Sequence, residues 1–216
     1  MKNIEYLLTK TEIPIYTREE YINILKAECD IHGKKEQLVR CMEEYSELIE
    51  VIIMNNIRGR IDYIDLAEEI ADCQFCIEVI KILYDLKDSD ISKNFKNIYQ
   101  GENILNNCIL NLAQSSINLS KCVREKDKAG IKIIGLINLI NETIFNIIYY
   151  YKMDIKIIEK IFMLKIKRSD ERNQKYWETM GTNTDQNKTD KLDSATIDIA
   201  SSDENEYNET ISTLDM

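Results

Sequence analysis

The chain has 216 residues, 44% of them hydrophobic and 31% charged, enough for one large domain or two small ones. Its net charge is −10, but nine acidic and two basic residues between Gly181 and Met216 place −7 there and leave −3 for the rest. The acidity therefore describes a tail, no basic face suggests nucleic-acid binding, and no uninterrupted apolar run reaches the roughly 20 residues of a membrane span. One proline and six glycines over this length favour long helices over many short strands.

In chain order, Thr17-Arg18-Glu19-Glu20 reads as a capping box that opens a helix ending near His32-Gly33. His32, the only histidine, reads there as a surface cap residue. A second helix is predicted over residues 34–56, broken by Arg58-Gly59-Arg60, and a third over 62–86. A short helix follows at 90–99, then long ones at 103–125, 131–152 and 154–177. From Gly181 the chain is mostly Thr, Asn, Asp, Ser and Glu, too polar to offset ordering entropy, and disorder is expected. The implied organisation is an N-terminal segment 1–16, a helical module 17–100, a second helical module 101–178 and an acidic tail 179–216. Cys73 and Cys76 form a C-x-x-C, but one histidine and no second such pair leave a tetrahedral zinc short of ligands. With Cys29, Cys41, Cys108 and Cys122 they read as buried free thiols. These thiols, and a start that lacks a signal-peptide pattern, lead to the expectation of a cytoplasmic protein with no membrane partner.

The most informative residues are acidic. The second helix carries Glu43-Glu44-Tyr45-Ser46-Glu47 and the third Glu68-Glu69-Ile70-Ala71-Asp72. Glu44 and Glu47 are three apart, as are Glu69 and Asp72, so each helix aims two carboxylates at one point. On a helical wheel Glu69 and Asp72 share an arc with Cys76, Val79 and Leu83, away from Gln74, Glu78 and Lys81. Glu44 and Glu47 continue into Val51 and Met54, while Glu43, Ser46 and Glu50 point to water. Two carboxylates about 4 Å apart repel by about 4 kcal/mol at an effective dielectric near 20. Four on buried stripes call for a cation, and hard oxygen donors suit Mg²⁺ or Mn²⁺. A ferritin-like di-iron site would need Glu-x-x-His pairs, which no helix supplies.

Glu43-Glu44-x-x-Glu47, 21 residues, then Glu69-x-x-Asp72 resembles the signature of the MazG-like all-α NTP pyrophosphohydrolases, a group that includes dimeric dUTPases. His32-Gly33-Lys34-Lys35-Glu36-Gln37-Leu38 is similar to the loop and helix start that precede that motif, and the likeness covers roughly Tyr21 to Tyr99. The resemblance implies an all-α helical bundle that hydrolyses a (d)NTP to the monophosphate and pyrophosphate with Mg²⁺. It implies that Glu44, Glu47, Glu69 and Asp72 are the catalytic metal ligands, with Glu43 as the motif's first glutamate. The family's oligomers further imply either a homo-oligomer or an intramolecular pseudo-dimer.

The pseudo-dimer has support in the chain after Gly101. Placing Met42 on Ala113 aligns Leu48 with Leu119, Glu44 with Ser115 and Glu47 with Asn118. Three more loop residues then set Glu69 on Thr143 and Asp72 on Asn146. The chain then reads as a fused tandem with a degenerate second half, in which all four ligands are uncharged. Lys165, Lys167, Arg168 and Arg172 form the only dense basic cluster and read foremost as a solvated helix face, with contact to substrate phosphates as the other reading. The expected function is nucleotide pyrophosphate hydrolysis; the alternative is a MazG-like nucleotide-binding or regulatory protein with little or no turnover.

Overall fold

The computed structural model describes residues 13–92, 103–124 and 130–193, and the fold is all-α, with no strand among the described residues. Five helices follow in order: α1 Arg18–Arg58, α2 Tyr63–Leu83, α3 Ile104–Arg124, α4 Gly130–Tyr151 and α5 Ile155–Asp193, with a 3₁₀ turn at Asp88–Asp90. The chain divides into two compact units, Met1–Lys175 and Tyr176–Met216. The first holds the bundle, so the stretches expected as modules 17–100 and 101–178 share one core.

The capping box at Thr17 forms as expected: Glu20 accepts from the Thr17 backbone at 2.7 Å, and the Glu20 backbone donates to the Thr17 hydroxyl at 3.3 Å. α1 comprises two arms, 18–32 and 34–58, with Gly33 between them at φ 76°, ψ 162°. That conformation is essentially reserved for glycine. No atom lies within 4 Å of a Cβ built at Gly33, so only the backbone resists substitution. Gly33→Ala is expected to cost about 1–3 kcal/mol, read as a lower midpoint in denaturant with an unchanged slope. Gly59 caps the second arm in the left-handed region, and Asp62 opens α2 by accepting from the Asp65 backbone at 3.2 Å.

α1 packs on α2 and on α3, and α4 packs on α3 and touches α2. Leu38, Tyr45, Leu48, Ile52, Leu66, Ile70 and Ile80 fill the core beside Leu112, Leu119, Ile137 and Ile140. Thiols cross between helices: Cys41 donates to the Cys76 carbonyl and Cys73 to the Glu44 carbonyl, both at 3.9 Å. All six cysteines are free, five of them buried and Cys122 half-buried. Lys132–Tyr151 of α4 is long and apolar enough to cross a membrane, but here Ile133, Ile137, Ile140 and Ile147 are buried in the bundle. α5 packs on the first arm of α1, with Phe162 edge-on to Tyr21 at 5.8 Å and Asn173 donating to the Ile24 carbonyl at 3.0 Å.

Three expectations differ from the structure. The last helix does not stop near Trp177 but runs to Asp193, because extending an existing helix adds one hydrogen bond per residue without a new nucleus. The rest of the expected disordered tail, 194–216, lies outside the described residues. The short helix expected at 90–99 is represented by the Asp88–Asp90 turn, and residues 93–99 of it lie outside the described residues. Lys81, assigned to the polar side of α2, is buried, because Glu78 at 2.7 Å and Asp88 both meet its ammonium.

Candidate metal centre

Glu44 and Glu47 sit on the second arm of α1, and Glu69 and Asp72 on the facing side of α2. Carboxylate oxygens of Glu44, Glu47 and Glu69 lie within 4.8 Å of one another. Glu44 and Glu69 are half-buried, and Glu69 Oε2 is wholly buried with no hydrogen-bond partner among the described residues. Glu47 is exposed, which departs from the buried stripe expected of it, and it stands on the solvent side of the half-buried Glu44 and Glu69. Glu43, Ser46 and Glu50 face water as expected.

Asp72 stands beside this trio with a different neighbour. Its carboxylate is ion-paired and hydrogen-bonded to the Lys165 ammonium of α5, which also lies 3.8 Å from Glu68. The solvated face expected for the basic cluster is thus corrected for Lys165, whose side chain is only 12% exposed. It holds for Lys167, whose side chain is 41% exposed and pairs with Glu171 at 3.8 Å on its own helix. Lys165 moved inward because an ammonium beside half-buried acids offsets a repulsion that water does not screen there.

The electrostatics record that repulsion. Burial, then the charges of Asp72 and Glu47, push the Glu44 carboxyl up to about 7, against the opposing pull of Lys165 and Arg40. Burial, then Asp72 and Glu47, push Glu69 up to about 8. Burial also raises Asp72, with Lys165 as the main counterweight and Arg40 and Arg168 behind it. Glu44 and Glu69 thus each respond to the charges of Asp72 and Glu47.

A cleft of about 100 Å³ opens against this group. Arg40, Lys165, Arg168 and Arg172 line it together with Glu44 and Asp72, Arg40 Nε lying 3.8 Å from Glu44, and Phe75, Cys76 and Val79 add apolar surface. A second acid anchors part of this wall. Glu28 is completely buried, and its Oε1 meets Arg40 Nη1 at 3.0 Å and Arg172 Nη2 at 3.4 Å, while the Ser169 hydroxyl donates to Oε2. Sequence reasoning missed Glu28 because Gly33 separates it from Arg40 and breaks the helical register. The stripe of Lys165, Arg168 and Arg172, spaced three and four apart, was the available signal for the wall.

In the second half, Ser115, Thr143 and Asn146 are buried, whereas Asn118 is half-exposed. Each buried residue bonds back to its own helix: Ser115 to the Asn111 carbonyl, Thr143 to that of Leu139 and Asn146 to that of Glu142, all at 2.7 Å. Asn111 also donates to the Thr143 hydroxyl at 3.2 Å, joining α3 to α4. No family model matches the chain. No match was found among the curated proteins or the solved structures either, so the site must be read from its own chemistry.

Proposed function

We propose that the protein is a cytoplasmic, Mg²⁺-dependent nucleoside triphosphate pyrophosphohydrolase, cleaving a (d)NTP to the monophosphate and pyrophosphate. The observation that carries this reading is the juxtaposition of the Glu44, Glu47 and Glu69 oxygens, within 4.8 Å, with a cleft walled by four cations. The donor set fits Mg²⁺ or Mn²⁺: it is all oxygen, and the buried Glu69 Oε2 lacks any protein partner among the described residues. Glu44, Glu47 and Glu69 would hold the ion, with Asp72 joining them on exchange of Lys165. When bound, the ion supplies charge neutralisation for phosphate oxygens and a more acidic water.

The chain's own residues supply the remainder. Arg40, Arg168 and Arg172 line the cleft and would hold the leaving pyrophosphate, since guanidinium geometry suits two phosphate oxygens at once. The water oxygen bonds to the α-phosphorus, the bond from that phosphorus to the bridging oxygen breaks, and the leaving pyrophosphate keeps the electron pair. One proton is released from the water and passes to the solvent at the exposed rim of the site, since the carboxylates that would hold the ion stay ionised. No protein nucleophile is needed, because phosphoryl transfer of this kind depends on positioning and charge.

The second half supports a tandem with one silent site. α3 and α4 pack as a hairpin, as α1 and α2 do, and the aligned Ser115, Thr143 and Asn146 are uncharged and bonded to their own helices. Pyrophosphate release measured over a panel of (d)NTPs with Mg²⁺ tests the proposal. Turnover of at least one nucleotide, abolished by EDTA and restored by Mg²⁺ or Mn²⁺, is expected. A well-folded protein that hydrolyses none of them would favour the nucleotide-binding or regulatory role.

A further inference from the structure

Glu28 presents a physical problem of its own. A carboxylate with no solvent exposure is costly unless it is paired and hydrogen-bonded. Its partners come from three places: Arg40 on the second arm of α1, Arg172 and Ser169 on α5, and His32, whose Nε2 lies 3.7 Å away at the kink. Gln37 also donates to the Glu28 backbone carbonyl at 3.3 Å, fixing the chain around it. One cation would neutralise the charge. Two guanidiniums instead converge on the same oxygen, Oε1.

Neither arginine is used up by this contact. A guanidinium has five N–H donors in a rigid fork; Glu28 engages Nη1 of Arg40 and Nη2 of Arg172, and Glu44 lies 3.8 Å from Arg40 Nε, which leaves further donors on each. Their side chains are 36% and 54% exposed, and both line the cleft with Arg168. Four cations, Arg40, Lys165, Arg168 and Arg172, stand against Glu44, Asp72 and the buried Glu28, which leaves one positive charge in excess at the cleft. We infer that Glu28 is the positioning residue of an anion subsite, holding Arg40 and Arg172 ready to grip two linked phosphates. The inference rests on the nucleotide reading only in its choice of phosphate as the anion. Freezing two long side chains in advance removes an ordering cost that binding would otherwise carry, which is worth about tenfold in affinity.

The test is calorimetric titration of the full chain with inorganic pyrophosphate in excess EDTA, so that no metal takes part. The unmodified protein is expected to bind. Glu28→Gln, with unchanged helicity by circular dichroism, is expected to bind about tenfold more weakly. Glu28→Asp, which keeps the charge, should recover part of the loss. Ser169→Ala removes one donor to Glu28 and should weaken binding about threefold. A purely structural Glu28 would lower the melting point and leave the affinity of the folded variant untouched, and that result would overturn the inference. So would an unmodified protein that does not bind pyrophosphate. Should Glu28→Gln fail to fold, unchanged affinity in Ser169→Ala decides against it. Pyrophosphate binding without nucleotide hydrolysis would sink the enzyme reading alone, whereas hydrolysis with Glu28-independent binding would sink this inference alone.

Discussion

Glu69→Ala is expected to lose about a thousandfold in the rate of nucleotide hydrolysis, because one ligand fewer removes several kcal/mol of transition-state stabilisation. Asp72→Asn should lose a similar amount, whereas Thr143→Ala and Asn146→Ala should keep most of the rate. The stability changes separate these variants further. Glu69 is a source of repulsion with a buried unpartnered oxygen, so its replacement should raise the melting temperature in EDTA. Asp72 is the partner of Lys165, and Asp72→Asn leaves a half-buried ammonium without its closest carboxylate, so its melting temperature should fall. Thr143→Ala breaks bonds to Leu139 and Asn111 and should cost about 1 kcal/mol. Rates from pyrophosphate release and midpoints from scanning calorimetry check both columns. Equal rate loss in folded variants of both halves would defeat a single live site.

How much of this was legible in the sequence depends on the range of the signal. Local signals were accurate. The Thr17–Glu20 capping box, the Gly33 break and the Gly59 cap each act through one turn of backbone, and each stands where the residues put it. The three-residue spacing of Glu44 with Glu47, and of Glu69 with Asp72, placed the acids on facing sides of α1 and α2. Burial was harder to read, because a wheel knows the phase of a helix but not where its neighbours end. Glu47 shares the phase of Glu44 yet lies at the rim, and Lys81 has the phase of a polar face yet is buried against Asp88.

Long-range pairing was not legible at all. Lys165 and Asp72 are 93 residues apart, and Ser169 and Glu28 are 141 apart. Nothing in the composition of α5 says which acid it meets, since a helix rich in lysine and arginine is most often solvated. What selects the contact is the half-buried negative charge on α1 and α2, and that charge exists only once the two arms of α1 have folded against α2.

The same charge predicts how stability depends on pH and on metal. Glu44 near 7 and Glu69 near 8 both stand above the 4.5 expected of a glutamate in the unfolded chain. Between those values the native protein binds more protons than the unfolded one, so the contribution of Glu44 and Glu69 is full below about pH 4.5 and is lost as pH rises through 7 and 8. Glu20 and Asp88 work in the opposite sense, since Thr17 lowers the first and Lys81 and Arg18 the second, but they act only on the acid side of this window. Water reaches both Glu44 and Glu69, so screening discounts the effect to about 1–2 kcal/mol, or about 2–8 °C in a chain of this size. In EDTA, melting near pH 8.5 should therefore fall that far below melting near pH 5.5. A divalent cation replaces the protons and binds only the assembled group, so excess Mg²⁺ should restore most of the loss at the higher pH and little at the lower. Scanning calorimetry at the two pH values, with EDTA or Mg²⁺, reads both slopes. A midpoint that rises with pH in EDTA would contradict the repulsion among the acids, and equal Mg²⁺ stabilisation at both pH values would place the ion away from Glu44 and Glu69.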